Sequence, residues 1–445
     1  MTEPVARNPA LYFVLLSFPV WWALGVGYFI WPLLTFPLLL SLLLRGDIAF
    51  PPRFGVWLLF LAAVLLSSNS VDVSSGVFAY FWRLSVYLSG TVLFLYVYNA
   101  PRHELPDRAV VFALALLWCE LVIGGLLAVA FPGVSFSSPF EAVAPGSLMG
   151  DGAVRNMVHP HFAEVMQFLG YPVGRPSIFF PYSNHWGATL GVLTPFALAA
   201  FAALARGTRR RLLGGLLALS LIPLIVSLNR GVWISLGVAI VYLGLRLWRR
   251  NFRAVGIGAF VLVAVVAVAS ITQLGTLFQD RLNNQSASTT TRLTVYRDTL
   301  EHVKQSPWLG YGTPQASTAS GSIPPLGTQG QLSLVGYSHG IPALLLFVGW
   351  FAYGFIRSRH VPSGGRLWAH LAILIFLLEL PYYSFLPTGF HVAMVAAALA
   401  WRSVADPFEP VQTTGSAAQL RPRISRRAPA VSGPHRPRIH RRSTV

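Results

Sequence analysis

Residues 212–245 read LLGGLLALSLIPLIVSLNRGVWISLGVAIVYLGL, two apolar runs interrupted by a single arginine, Arg230. Arginine-rich segments flank this stretch on both sides, RGTRRR at 206–211 and WRRNFR at 248–253. A run of roughly 17–25 apolar residues is long enough to cross the hydrocarbon core of a bilayer as a helix. The stretch therefore predicts a pair of membrane-spanning helices whose short connection carries a charge.

The composition extends this interpretation to the whole chain. Of 445 residues, 54% are hydrophobic and 11% are charged, and the mean hydropathy is +0.58. A soluble protein of this length has a more charged surface, so lipid is expected to surround most of the chain. The apolar runs predict an all-α polytopic membrane protein with about twelve spans: 10–26, 27–44, 54–70, 77–98, 109–130, 184–205, 212–228, 231–247, 254–272, 339–356, 367–384 and 387–401.

The arginines also predict on which side each loop lies, because basic loops are retained in the cytoplasm. They accumulate in 206–211, in 248–253, in 357–360 and after Arg402. This distribution places both ends of the chain on the cytoplasmic side of an inner or plasma membrane. Two long segments, about 131–183 and 273–338, are then extracytoplasmic. Loops this long are usually functional.

Residues 406–445 differ from the rest of the chain in composition. They are rich in Pro, Ser and Arg and show no apolar periodicity. We interpret them as a disordered basic cytoplasmic tail that contacts anionic lipid headgroups. No base-reading motif accompanies the charge, so no nucleic-acid partner is expected. The predicted organisation is a transmembrane domain over 1–405 followed by this tail.

Basic residues that the sorting rule disfavours are the first functional candidates. Arg230 lies in Ser227-Leu-Asn-Arg-Gly231, between two predicted spans. A charge near membrane depth costs on the order of 2.5–3.5 kcal/mol, so it normally faces a cavity or a partner. The alternative is a side chain that reaches the outer headgroups. Arg83 lies within a predicted span, where pairing with a carboxylate would make it an ordinary structural residue.

The second outer segment contains RLTVYRDTLEHVK at 292–304. Four apolar residues recur there at helical spacing and predict an amphipathic helix on the outer surface: Leu293, Tyr296, Leu300 and Val303. Arg292 and Tyr296 lie one turn apart on this helix. An interfacial helix whose arginines meet lipid phosphates is an equal alternative. The sequence QSPWLGYG at 305–312 then ends the helix and turns the chain.

Four further positions could contribute chemistry. His339 follows the second outer segment, and imidazole is well suited to take a proton near neutral pH, although a histidine at a span boundary is more often structural. Arg175 lies just before the sixth span, where it could instead pack the loop onto the membrane surface. Glu379 and His391, near outer helix ends, could join a site. No metal-ligand or phosphate-loop pattern is present, so no metal or other cofactor is expected.

The order and spacing of these motifs resemble the O-antigen ligase and polymerase family. The resemblance covers roughly residues 170–400. Its motifs are the segment 175–186, SLNRG at 227–231, RLTVYR at 292–297 with SPWLGYG at 306–312, and the Ser338-His339 pair. One departure is Gly340, because the family commonly has Asn, Ser or Asp after the histidine.

The resemblance implies a GT-C-like, inverting, metal-independent membrane glycosyltransferase that acts on the outer face of the membrane. The donor would be a glycan on a polyprenyl diphosphate such as undecaprenyl diphosphate, and the acceptor a hydroxyl of a glycan, lipid or wall polymer. Arg230, Arg292 and Arg175 would bind the diphosphate, since guanidinium groups bind such oxygens bidentately. His339 would be the catalytic base. Four further residues would be neighbours of the site: Tyr296, Arg297, Glu379 and His391.

Two other function classes remain open. A transporter or flippase for a lipid-linked glycan would also need cations in a membrane, but such proteins usually show related halves, and no internal repeat is evident. A non-catalytic scaffold for envelope assembly would leave the arginines dispersed. Convergence of the outer arginines and His339 on one groove would favour the transferase over both.

Overall fold

The computed structural model describes residues 9–72, 76–149, 152–167, 172–247, 286–315, 325–360 and 364–402. All of them belong to one compact unit, Met1–Pro407. The second unit, Phe408–Val445, contains most of the predicted tail and lies outside the described residues. The predicted span 254–272 lies outside them as well.

The described chain is mainly helical. Its first half contains α1 (Pro9–Leu16), α2 (Phe18–Ala23), α3 (Trp31–Arg45), α4 (Phe54–Leu66), α5 (Val77–Asn99), α6 (Asp107–Ala130), α7 (Pro139–Val143), α8 (Gly146–Met149), α9 (Gly152–Val158), β1 (Ala163–Gln167) and β2 (Pro172–Pro176). Its second half contains α10 (Ser183–Ala203), α11 (Thr208–Leu219), α12 (Leu221–Val226), α13 (Arg230–Leu247), α14 (Ser286–Gln305), α15 (Gln331–Arg357), α16 (Gly365–Glu379) and α17 (Thr388–Arg402).

The helices match the positions of the predicted spans. Four segments are long and apolar enough to cross a membrane: α5, α6, α10 and Gln331–His360, which contains α15. Shorter apolar helices cover Pro9–Ala23, Trp31–Arg45 and Phe54–Ser70. The other described runs fall on α11 with α12, α13, α16 and α17. This architecture agrees with a helical membrane protein, whereas the count of twelve spans and the GT-C-like arrangement stay predictions.

Large aromatic side chains fill the centre of the helical unit. The Trp57 ring lies 4.8 Å from that of Trp350, and its indole N–H donates to Thr91 Oγ1 at 2.8 Å. Buried rings from α4, α5, α15 and α17 surround this pair: Phe60, Tyr87, Phe94, Phe347, Phe351 and Phe390. Burying this much aromatic surface stabilises the packing of these four helices, which together position Ser67 and His339.

The segment 131–183, which is called the first outer segment after its predicted side of the membrane, folds more than the sequence suggested. It contains the short helices α7 to α9 and an antiparallel hairpin, β1–β2, in which Glu164 pairs with Arg175. The hairpin is a local departure from the all-α prediction. Its second strand contains Arg175, whose Nη2 donates to Asn184 Oδ1 at the start of α10.

The predicted helix in the second outer segment is present as α14, but the proposed apolar face is only partly right. Leu300 is 56% exposed, whereas Val295, Thr299 and Val303 are buried. The buried face is therefore rotated relative to the predicted one, because α14 packs against α15 and the turn around Leu326. The side chains of 286–293 are outside the described part of α14.

Candidate functional site

The connection before Arg230 is a tight turn that begins α13. Leu228 has a φ of 55°, a left-handed conformation that non-glycine residues rarely adopt. Its neighbour Asn229 is buried and donates through Nδ2 to the Ser183 carbonyl at 3.0 Å. Gly187 allows this approach, since a Cβ there would lie 2.0 Å from Asn229 Nδ2. The turn thus has a fixed geometry and places Arg230, half-buried, at the first position of α13.

Arg175 holds this turn from the other side. Its side chain is 3% exposed, and Nε donates to the Ser227 carbonyl at 2.7 Å. Nη2 donates to Asn229 Oδ1 at 2.8 Å and to Asn184 Oδ1 at 3.0 Å. At least three of the five N–H donors of the guanidinium therefore bind protein oxygens. These contacts make Arg175 a positioning residue for the Arg230 turn, and the predicted diphosphate contact stays a prediction.

The connection between α16 and α17 joins several of the candidate elements. We call residues 380–385, LPYYSF, the 380–385 turn. The hydroxyl of Tyr383 accepts a hydrogen bond from the Gly231 N–H at 2.9 Å. The carbonyl of Tyr383 accepts from the Gln331 N–H at 2.9 Å, and Gln331 Oε1 accepts from the Phe385 N–H at 3.1 Å. The start of α13 and the start of α15 are therefore tied to the same six residues.

Helix α14 is tied to the same turn. The Tyr296 hydroxyl donates to the Pro381 carbonyl at 2.9 Å. Arg292 lies four residues before Tyr296 on α14, and its side chain is outside the described residues. Arg297, the next residue along, is exposed. The structure thus brings the Arg230 turn and the helix that carries Arg292 to one connection.

Helix α15 breaks directly after His339. Gly340 has φ 82° and ψ 173°, a conformation essentially restricted to glycine. Ile341 N–H donates to the Pro307 carbonyl at 2.8 Å, and Pro342 has no N–H. The carbonyls of Tyr337 and Ser338 would otherwise accept from these two residues in a continuous helix.

Backbone N–H groups of segment 306–312 donate to these two carbonyls instead. Tyr311 N–H donates to the Tyr337 carbonyl at 3.0 Å, and Gly312 N–H donates to the Ser338 carbonyl at 2.7 Å. Gly310 permits the contact, because a Cβ there would lie 2.4 Å from the Tyr337 oxygen. The SPWLGYG motif and the His339 motif therefore form one structural unit.

His339 is 1% exposed and bonds to Ser67, a residue from the end of α4. Its Nδ1 lies 2.7 Å from Ser67 Oγ, and that hydroxyl donates to the Val64 carbonyl at 2.6 Å. Because a serine has a single O–H, the consistent assignment gives Nδ1 the proton that Ser67 Oγ accepts. Nε2 then carries a lone pair, and it has no hydrogen-bond partner in the described part of the chain. A neutral imidazole in this state can accept a proton at Nε2.

Arg83 lies one turn before Tyr87 on α5, and the Tyr87 ring lies 6.1 Å from the His339 ring. Arg83 Nη1 donates to the Ala79 carbonyl of its own helix at 3.1 Å, and no carboxylate among the described residues lies within ion-pair distance. Trp82, the residue before Arg83, stacks on Tyr28 with the ring centroids 4.6 Å apart. The sequence shows that Arg83 is a cation in an apolar helix, but it does not show which residues surround the guanidinium.

Glu379 and His391 are both fully buried next to the helices that form the site. Glu379 Oε1 accepts from the Ser235 hydroxyl, and Oε2 has no partner among the described residues. His391 Nδ1 donates to the Pro387 carbonyl at 2.7 Å, Nε2 lies 2.7 Å from Ser89 Oγ, and the ring stacks on Trp31. These contacts give His391 a structural role in the core, and the predicted roles of both residues in a site stay predictions.

The first outer segment lines an open pocket of about 350 Å³. Its lining includes Ser135, Asn156, His159, His161 and Glu164. Glu164 Oε2 lies 4.0 Å from Arg175 Nη1, so the pocket borders the group that positions the Arg230 turn. Among the described residues, no group of three or more His, Cys, Asp or Glu could hold a metal ion.

One lining residue, His159, forms a hydrogen bond with Glu141. His159 Nδ1 donates to Glu141 Oε2 at 2.8 Å. This hydrogen bond holds the pKa of the Glu141 carboxyl below its usual value. The pair connects α7 to the residues that follow α9.

Comparison with known proteins gives a family match. The family model for O-antigen ligase matches residues 215–348, a range that contains Arg230, Arg292 and His339. Arg175 lies upstream of the matched range. No curated protein matches the chain.

Proposed function

We propose that this chain is an inverting membrane glycosyltransferase. The family match over 215–348 confirms the predicted resemblance to the O-antigen ligase and polymerase family. The donor is a glycan on a polyprenyl diphosphate, and the acceptor is a hydroxyl of a glycan, lipid or wall polymer at the outer face. Glycosyltransfer of the O-antigen ligase type follows from the family. The choice of donor and the residue roles are our proposal.

Departure of the diphosphate is assigned to arginines. As the bond between the anomeric carbon and the phosphate oxygen breaks, negative charge grows on the leaving diphosphate. Arg230 and Arg292 bind its oxygens and offset that charge, which lowers the barrier only if they are held in place beforehand. The Arg175 hydrogen bonds to Ser227 and Asn229 supply this rigidity at the Arg230 turn.

Activation of the acceptor is assigned to His339. Its Nε2 lone pair accepts the proton of the acceptor hydroxyl while that oxygen bonds to the anomeric carbon from the face opposite the diphosphate. The products are the glycosylated acceptor, the polyprenyl diphosphate and a protonated imidazole that later releases its proton to solvent. General-base catalysis of this kind contributes about 10²–10⁴ in rate.

The observation that carries the proposal is the His339 geometry. Ser67 fixes Nδ1 as the donor, so Nε2, which has no hydrogen-bond partner among the described residues, carries the lone pair. The shared 380–385 turn supports it further, since it connects the Arg230 turn, α14 and the start of α15.

The direct test uses purified full-length protein in detergent or nanodiscs. Polyprenyl-diphosphate-linked glycan is incubated with candidate acceptors, and products are identified by mass and by anomeric configuration. We expect a glycosylated acceptor with inverted configuration, and its loss in Arg230→Gln. Retention of configuration, or the parent rate in Arg230→Gln, would contradict the proposal.

A further inference from the structure

Arg83 is a cation that the diphosphate site does not use. It lies six residues into α5, about 9 Å along the helix from Val77 at 1.5 Å per residue. The helix is apolar and long enough to cross a membrane. A charge in such a position normally faces a partner or a cavity. Its guanidinium is half-buried and, among the described side chains, has no carboxylate to neutralise it.

The groups around Arg83 are suited to binding an anion. Tyr87 lies four residues after Arg83, one turn along α5, and Tyr28 and Tyr87 each carry an O–H that can donate. Tyr87 Oη accepts from Gln331 Nε2 at 3.4 Å, which leaves its own proton to donate elsewhere. Tyr28 stacks on Trp82 at 4.6 Å, which fixes the ring beside Arg83. Arginine and two phenols form a donor-rich cluster.

The position of the cluster relative to His339 indicates which substrate the anion belongs to. In an inverting displacement, the acceptor hydroxyl and the departing diphosphate lie on opposite faces of the anomeric carbon. His339 takes the proton from the acceptor, so groups beside His339 lie on the acceptor side. Arg83 lies one turn before Tyr87 on α5, and the Tyr87 ring is 6.1 Å from the His339 ring. Arg230 instead precedes Gly231, whose N–H donates to Tyr383 of the 380–385 turn.

The positive charge that forms on His339 during proton transfer also favours an anionic group near Arg83. When His339 Nε2 takes the proton, an imidazolium forms near the Arg83 guanidinium. Two like charges close together in a site of low dielectric repel each other strongly. A negative group of the acceptor near Arg83 would offset this repulsion and favour the proton transfer.

We infer that Arg83, with Tyr28 and Tyr87, binds an anionic group of the acceptor, a phosphate or a carboxylate close to the hydroxyl that is glycosylated. This inference rests on the proposed function, because it uses the role of His339 as base. It names a substrate class, an anionic acceptor, and makes Arg83 a determinant of acceptor specificity.

The first test compares acceptors of different charge. The acceptor fraction that the wild-type protein glycosylates is used untreated, after phosphatase, and after carbodiimide activation with borohydride reduction of carboxylates. We expect wild-type transfer to fall about ten- to hundredfold with one of the two treatments, the range for a lost charge-assisted hydrogen bond. Arg83→Gln should use treated and untreated acceptors equally slowly, and Arg83→Lys should keep part of the preference.

The second test separates the acceptor from the donor. Affinity for undecaprenyl diphosphate is measured for wild type, Arg83→Gln and Arg230→Gln, with thermal unfolding as a check of folding. Arg83→Gln should bind within about twofold of wild type, whereas Arg230→Gln should bind at least tenfold more weakly. Lys304→Gln removes an outer positive charge that pairs with Glu301 and is the matched control.

The outcomes are distinguishable. Equal wild-type transfer to charged and neutralised acceptors, or a loss of undecaprenyl diphosphate affinity in Arg83→Gln as large as in Arg230→Gln, would overturn the acceptor subsite and leave the transferase proposal standing. No transfer to any acceptor by wild-type protein that binds undecaprenyl diphosphate would overturn the proposed function and this inference with it.

Discussion

Ser67 Oγ lies 2.7 Å from His339 Nδ1, although the two residues are 272 positions apart in the sequence. Ser67→Ala removes the acceptor for the Nδ1 proton and leaves that donor buried without a partner. The imidazole then loses the contact that fixes its tautomer, and we expect the transfer rate to fall about tenfold, within the 10–100-fold typical of such orienting contacts. Steady-state transfer assays measure the effect.

Ser89→Ala is the matched control for this prediction. Ser89 Oγ lies 2.7 Å from His391 Nε2, so it is also a buried serine bonded to a histidine. We expect both variants to lose some thermal stability, and only Ser67→Ala to lose transfer activity. Equal activity losses in the two variants would show that the Ser67 contact acts on stability alone.

Arg175→Lys tests the positioning of the Arg230 turn. A lysine keeps the charge but cannot donate to Ser227, Asn229 and Asn184 together in the fork geometry of arginine. Because small displacements of a binding group can cost about 10²-fold, we expect transfer to fall at least tenfold. Asn184→Ala, which removes one of the three contacts, should have a smaller effect. Wild-type kinetics in Arg175→Lys would show that charge alone is required at this position.

Gly340→Ala tests the break in α15. A Cβ at this position would lie 2.4 Å from the Trp308 carbonyl oxygen, and the backbone conformation itself costs a non-glycine residue on the order of 1–3 kcal/mol. We expect a lower melting temperature and displacement of 306–312, seen as faster hydrogen exchange in that segment. Gly349→Ala is the control, because a Cβ there meets nothing within 4 Å. Unchanged exchange in Gly340→Ala would contradict the break.

The Glu141–His159 pair predicts a pH dependence in the first outer segment. The hydrogen bond lowers the pKa of Glu141 in the folded state, so its contribution to stability is present above the ordinary carboxyl pKa and is lost as pH falls through the lowered value. Hydrogen exchange of residues 139–159 should accelerate below about pH 4 in wild type, near the carboxyl range. Glu141→Gln should exchange faster already at pH 7 and lose this acid-dependent step.

Apolar run lengths predicted the helices well, because a span is defined by local composition. The Arg230 turn, the α14 helix and the histidine at the start of a span also followed from local motifs. The exposure of Leu300 could not be predicted from a local motif, because the position of α15 determines which face of α14 is buried. Neighbours of His339 were missed for the same reason: Ser67 and Tyr87 approach it only through the packing of α4, α5 and α15.

Three glycines lie where the backbone closely approaches residues that are distant in sequence. Gly231 lies where a Cβ would meet the Tyr383 ring at 2.8 Å, and Gly310 and Gly340 have positive φ at the contact between 306–312 and α15. Three glycines beside the three functional motifs indicate close backbone approaches. The partners in those approaches are distant in sequence, so only the structure identifies them.

The most direct test of the central claim is the single-turnover transfer rate of His339→Gln. Glutamine is close in size to histidine but offers no imidazole nitrogen to take a proton, so the account predicts a rate lower by about 10²–10⁴ with undecaprenyl diphosphate affinity retained. A His339→Gln protein that is folded, binds the lipid diphosphate and transfers glycan at the wild-type rate would contradict the account.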